Sequence, residues 1–91
     1  MTPDLELRRG NDARNVLESP VYQEAYAEIE QRLIGQMAVI EITKERAEYL
    51  RQLLVAHRKI RGYLEQVMMT GKMAEQSLTL MEKLRGKNPV F

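Results

Sequence analysis

From Pro20 onward the apolar side chains recur in steps of three and four: Tyr22, Ala25, Tyr26, Ile29, Leu33 and Met37. Each step is close to one helical turn, so these positions share a face and the spacing predicts an amphipathic helix. A longer series follows, Ala47, Leu50, Leu54, His57, Arg61, Leu64, Met68 and Gly71, and its phase runs on through Ala74, Leu78 and Met81. Leu53, Ile60 and Val67, seven apart, form a second row beside it. Two rows make an apolar face wide enough for two neighbours at once, as in a bundle. Upstream, Pro3 to Glu18 is mostly polar, with Leu5, Ala13, Val16 and Leu17 as its apolar side. Gly10-Asn11 weakens its middle by about 1 kcal/mol relative to alanine, so this segment is expected to be a frayed or bent arm.

Thr2-Pro3 and Ser19-Pro20 each set a capping residue before proline, the order that suits a helix start. The β-branched run Val39 to Thr43 could form a strand, but a lone strand has no partner in this sequence, so it is read as a helix end and a turn. Thr43 then caps the third segment. An unbroken helix from Lys44 to Arg85 would be about 60 Å long and could not bury its face against the shorter second helix. The expectation is a break at Thr70-Gly71, or a far end packed on another subunit. Gly86 and Pro89 end the segment. The fold read from these patterns is all-α, a helical hairpin or small bundle with a long third helix. Residues 1–19 form an N-terminal helical arm, 20–85 the hairpin or bundle, and 86–91 a basic C-terminal tail.

At 91 residues the chain is one domain at most, and a domain this small gains from oligomerisation. Its formal net charge of +1 sets up no strong overall field toward nucleic acid or membrane. With 44% hydrophobic and 30% charged residues it lies outside the composition of disordered chains. The absence of cysteine excludes disulfides, thiolate zinc sites and a cysteine nucleophile. The N-terminus carries acids where a signal peptide has a basic region, and the longest uncharged stretch, Leu33 to Ile40, is far short of a bilayer span. These features predict a soluble protein, cytosolic or particle-bound.

The charges are unevenly placed. Residues 1–32 hold four basic and seven acidic side chains, whereas residues 44–62 hold six basic and two acidic. Arg58, Lys59 and Arg61, beside His57, could bind phosphate, with Arg85 and Lys87 adding to a basic tail. The plainer account is internal: a hairpin about Thr43 brings Glu24, Glu28 and Glu30 opposite the 57–61 stretch. His57, the lone imidazole, has no acid three or four residues away and reads as a satisfied seam histidine. Glu41, Glu45 and Glu48 share a helical face and read as a solvated acidic surface rather than a cation site. Ser19 and Ser77 have no base near them in sequence, and no phosphate-binding loop is present. Catalysis and cofactors are therefore not expected. Met68, Met69, Met73 and Met81 cluster in the last third, where methionine either fills a core or adapts to a partner.

The run Arg8-Arg9-Gly10, then Ala13 through Pro20, then Tyr22-Gln23-Glu24-Ala25-Tyr26, resembles the opening of small helical proteins encoded by tailed, podophage-like bacteriophages. Glu45 to Leu50, Ile60 to Val67 and Gly71 to Ala74 are similar to the same family, so the resemblance spans most of residues 8–74. It implies a role in the particle or its assembly, because members are encoded with packaging and virion genes. It brings no catalytic residues. The short turn near Thr43 departs from the longer, more polar connection expected of the family.

Together these readings give a non-enzymatic phage virion or packaging-associated protein that self-associates and contacts virion proteins, in the virion or the host cytoplasm. Its interface is expected along Leu50, Leu53, Leu54, Ile60, Leu64, Val67, Met68, Met73, Leu78 and Met81. The alternatives are a small-terminase-like DNA-binding packaging accessory, using Arg58, Lys59, Arg61, Arg85 and Lys87, and a phage-encoded inhibitor of a host protein, binding through the Met-rich end or Phe91.

Overall fold

The computed structural model describes residues 2–86, and these fold into three α-helices: α1 (Pro3–Glu18), α2 (Pro20–Met37) and α3 (Lys44–Gly86). No strand occurs among the described residues. Each helix start follows from its capping residue. Thr2 Oγ1 accepts from the Leu5 N–H at 3.3 Å, Ser19 Oγ from the Tyr22 N–H at 3.4 Å, and Thr43 Oγ1 from the Arg46 N–H at 3.1 Å. Pro3 and Pro20 take the first helical position, where the missing N–H has no partner to lose. A single residue, Ser19, separates α1 from α2, and the Gln23 side-chain amide donates to the carbonyl of Leu17 at 3.0 Å, satisfying one of the open carbonyls at the end of α1. The β-branched run behaves as expected of a turn: Ala38 closes α2, and the Ile42 N–H bonds the Val39 carbonyl at 3.2 Å.

The chain divides into two compact units, one formed by residues up to Asn15 with those from Leu64 onward, the other by Val16–Tyr63. In the first, α1 packs against the second half of α3. The contact is built on small residues: Gly10, Ala13, Gly71 and Ala74 are all buried. A Cβ placed on Gly71 would lie 2.7 Å from the Cα of Gly10 and 3.1 Å from the carbonyl oxygen of Glu6, so the two backbones themselves touch.

This overturns two expectations. The N-terminal segment is one continuous helix rather than a frayed or bent arm, and α3 runs through Thr70-Gly71 without a break. The physical reason is shared. Each glycine costs its helix about 1 kcal/mol of propensity, but the missing side chain lets the two backbones approach, and that contact outweighs the loss. The far half of α3 therefore finds a cover within its own chain.

In the second unit α2 and the first half of α3 form an antiparallel hairpin, with Gln36 near Arg46 at the closed end and Tyr26 against His57 further along. Leu50 is its one fully buried large side chain, 1% exposed. Ala47, Leu54, His57 and Arg61 are half-buried along the same row, as their spacing predicted. On α2 the inward row is Tyr22, Tyr26, Glu30, Leu33 and Met37, while Ala25 and Ile29 are exposed. Glu30 displaces the expected Ile29 because an arginine waits for it across the hairpin.

Candidate interaction surface

At the middle of the hairpin the His57 and Tyr26 rings stack, with centroids 4.1 Å apart and planes inclined by 22°. His57 donates from Nε2 to the Tyr26 carbonyl at 3.0 Å, since a carbonyl oxygen can only accept. Arg61 lies over the Tyr26 ring at 4.9 Å, and Arg58 Nε donates to Glu30 Oε1 at 2.9 Å. Of the three glutamates expected opposite the 57–61 stretch, Glu30 makes this pair. Glu28 instead holds Arg32 along its own helix at 2.9 Å, and Glu24 is exposed. The cluster orders the seam of the hairpin: its aromatic stack, cation–π contact and ion pair tie α2 to α3 in a set register.

The Arg58 hydrogen bond holds the Glu30 carboxyl below the usual carboxylate range against the opposing effect of burial, aided by the Arg58 charge, His57 and a hydrogen bond from Tyr26. Burial pushes the Tyr26 phenol above its ordinary value, with Glu30 adding to the shift and Arg61 and Arg58 opposing it. A carboxylate whose pKa is lower in the folded than in the unfolded chain adds stability above its unfolded pKa, and that stability is lost as pH falls through the folded value. As pH falls from neutral to below the ordinary value of 4.5, the thermal midpoint of the native protein is therefore expected to drop further than that of Glu30→Gln. Parallel curves for the two proteins would contradict the pairing.

The other positions read from sequence fall into three groups. Leu50 is taken up in the hairpin interior. Leu54, Leu64, Val67, Met68 and Leu78 are half-buried within the chain. Leu53, Ile60, Met73 and Met81 are exposed, Ile60 at 63% and Met73 at 66%. Met69, Leu80 and Leu84 are exposed as well, so the methionine cluster is largely a surface feature and not core filling. Among the basic residues Arg58 is in its ion pair, Arg61 covers Tyr26, and Lys59 and Arg85 are exposed; Lys87 and Phe91 lie outside the described residues. No group of acids and histidine among the described residues could hold a metal, and no described helix is long and apolar enough to cross a membrane.

The hairpin has two unlike sides. One carries the Glu30–Arg58 pair. The other is marked at its closed end by Arg46, whose guanidinium donates to Gln36 Oε1 at 3.1 Å. Gln36 continues the α2 row Val21, Ala25, Ile29 and Arg32, while Arg46 begins the α3 row Tyr49, Leu53, Ala56, Ile60 and Tyr63. Their bond sets both rows on one side. Sequence reasoning found Leu53 and Ile60 there but missed the tyrosines and Ala56, which complete the spacing between them. No family model, no curated protein and no solved structure matches the chain.

Proposed function

We propose that this chain is a non-enzymatic helical assembly protein of a tailed bacteriophage, acting in the virion or in packaging through self-association and contacts with virion proteins. The observation that carries the reading is how little of its apolar content is enclosed by its own fold. The buried hydrophobic residues among those described are Ala13, Leu50 and Ala74. Val21, Ile40, Ile60 and Met73 are each more than 60% exposed. The phage setting rests on the residue runs between 8 and 74 that resemble the phage family, and it implies a location in the particle or the host cytoplasm.

A non-catalytic role fits the seam chemistry, where His57 Nε2 is engaged by a backbone carbonyl and Glu30 by Arg58. The DNA-binding alternative has less to stand on, because Arg58 and Arg61 are committed to Glu30 and Tyr26.

Self-association makes stability depend on concentration, because a partner that binds only the folded chain stabilises it by mass action. The thermal midpoint is therefore expected to rise steadily as protein concentration is raised a hundredfold. A midpoint independent of concentration would count against the assembly role. In purified particles of the encoding phage, the protein is expected in fixed stoichiometry to the structural proteins; its absence there would leave self-association standing and remove the virion role.

A further inference from the structure

We infer that α1 is a releasable strap: in the folded protein it lifts from α3 by a local opening that leaves the α2–α3 hairpin intact and bares the backbone at Gly71 and Ala74. The inference stands apart from the assembly role and concerns the unit that residues up to Asn15 form with those from Leu64 onward. Over residues 3–15 the buried and half-buried positions are Glu6, Leu7, Arg9, Gly10, Ala13 and Arg14, so half of the positions that α1 withdraws from water are charged. The two that are buried outright are a glycine and an alanine, and on α3 they are again a glycine and an alanine, Gly71 and Ala74. Hydrophobic stabilisation scales with the apolar area removed from water, and these residues have little to remove. The hairpin, by contrast, encloses Leu50 at 1% exposure and is tied across by the His57–Tyr26 stack and the Glu30–Arg58 pair.

Arg14 weakens the closed state further. Its Nη2 donates to Asn11 Oδ1 at 2.8 Å, a bond within α1 itself, while its Nε is buried with no partner. A buried donor without an acceptor has given up its bond to water for nothing, and lifting α1 restores that bond. Opening therefore rehydrates Arg14 while it uncovers few apolar atoms. Dispersion across the close approach of the Gly10 and Gly71 backbones holds the strap shut. A segment held by few buried apolar contacts opens at a lower free energy than the whole chain unfolds.

Hydrogen exchange of the full native chain, followed peptide by peptide at several low urea concentrations, separates the local event from the global one. Amides of residues 6–15 are expected to exchange faster than those of residues 47–57 by about tenfold or more, yet far more slowly than in an unfolded peptide. Their exchange should also depend less steeply on urea, because lifting α1 exposes less surface than unfolding the chain. Arg14→Met keeps a long, flexible side chain and removes the unpartnered nitrogen. It is expected to slow exchange over residues 6–15 by about tenfold and to leave residues 47–57 unchanged. Equal rates with equal urea dependence in the two stretches would mean that α1 leaves only when the whole chain unfolds, and would overturn the inference. Exchange of α1 at the rate of an unfolded peptide overturns it too, because a strap must first be closed. So does an Arg14→Met protein whose exchange is unchanged over residues 6–15, or slowed equally in both stretches.

Discussion

Gly71→Ala is expected to destabilise the protein by about 1–3 kcal/mol, the range found when a methyl group is forced into a filled contact. The direction is opposite to helix propensity, which favours alanine over glycine by about 1 kcal/mol in an exposed helix. The difference comes from α1. The new methyl would lie 2.7 Å from the Cα of Gly10 and 3.1 Å from the carbonyl oxygen of Glu6, and backbone atoms cannot rotate away. Gly10→Ala meets the same obstacle from the other side, 2.7 Å from the Cα of Gly71 and 3.3 Å from the Val67 carbonyl oxygen. Gly62, in the same helix as Gly71, and Gly35 in α2 have nothing within 4 Å of an added Cβ. Alanine at either is expected to stabilise by about 0.5–1 kcal/mol. Urea midpoints of the four variants, compared at unchanged slope, should move down for positions 10 and 71 and up for 35 and 62. A uniform upward shift would mean that α1 does not touch α3 at these glycines.

Leu50→Ala is expected to cost about 2–5 kcal/mol, the sum of lost burial and the cavity left behind. Among the described residues Leu50, 1% exposed, is the one fully buried large side chain, so its truncation removes the centre of the hairpin interior. Against the 5–15 kcal/mol typical of whole domains, such a loss brings a chain of 91 residues close to unfolding at ambient temperature. Leu80→Ala removes the same atoms from a side chain that is largely exposed and should stay within about 0.5 kcal/mol. Equal losses at the two leucines would contradict the placing of the hairpin interior.

The three helices were legible because each depends on local signals. The steps of three and four marked α2 and α3, and Thr2, Ser19 and Thr43 capped the helices where capping chemistry predicted. The α1–α3 contact was not legible in that way. Glycine contributes nothing to a hydrophobic pattern and reads as a weak point, so Gly10 suggested fraying and Gly71 a break. The available signal was a repeated spacing, Gly10 with Ala13 and Gly71 with Ala74, each three apart on one helical face.

Glu30 was anticipated as a partner for the basic stretch, but its place in the inward row was given to Ile29, because periodicity scores a carboxylate as outward whatever lies opposite it. The interface positions divided for a similar reason. The inner and outer rows of α3 are both apolar, and only the presence of α2 shows that Leu50 and Leu54 belong to the hairpin while Leu53 and Ile60 do not.

The self-association proposed above gives the exposed apolar residues of this chain a cover. Its most direct test is the absolute mass in solution, by light scattering on a sizing column at low and high salt. A discrete oligomer of the 10.6 kDa chain that persists at high salt is expected, because apolar contacts are not screened by ions as exposed charges are. A single-chain mass at both salt concentrations would contradict it.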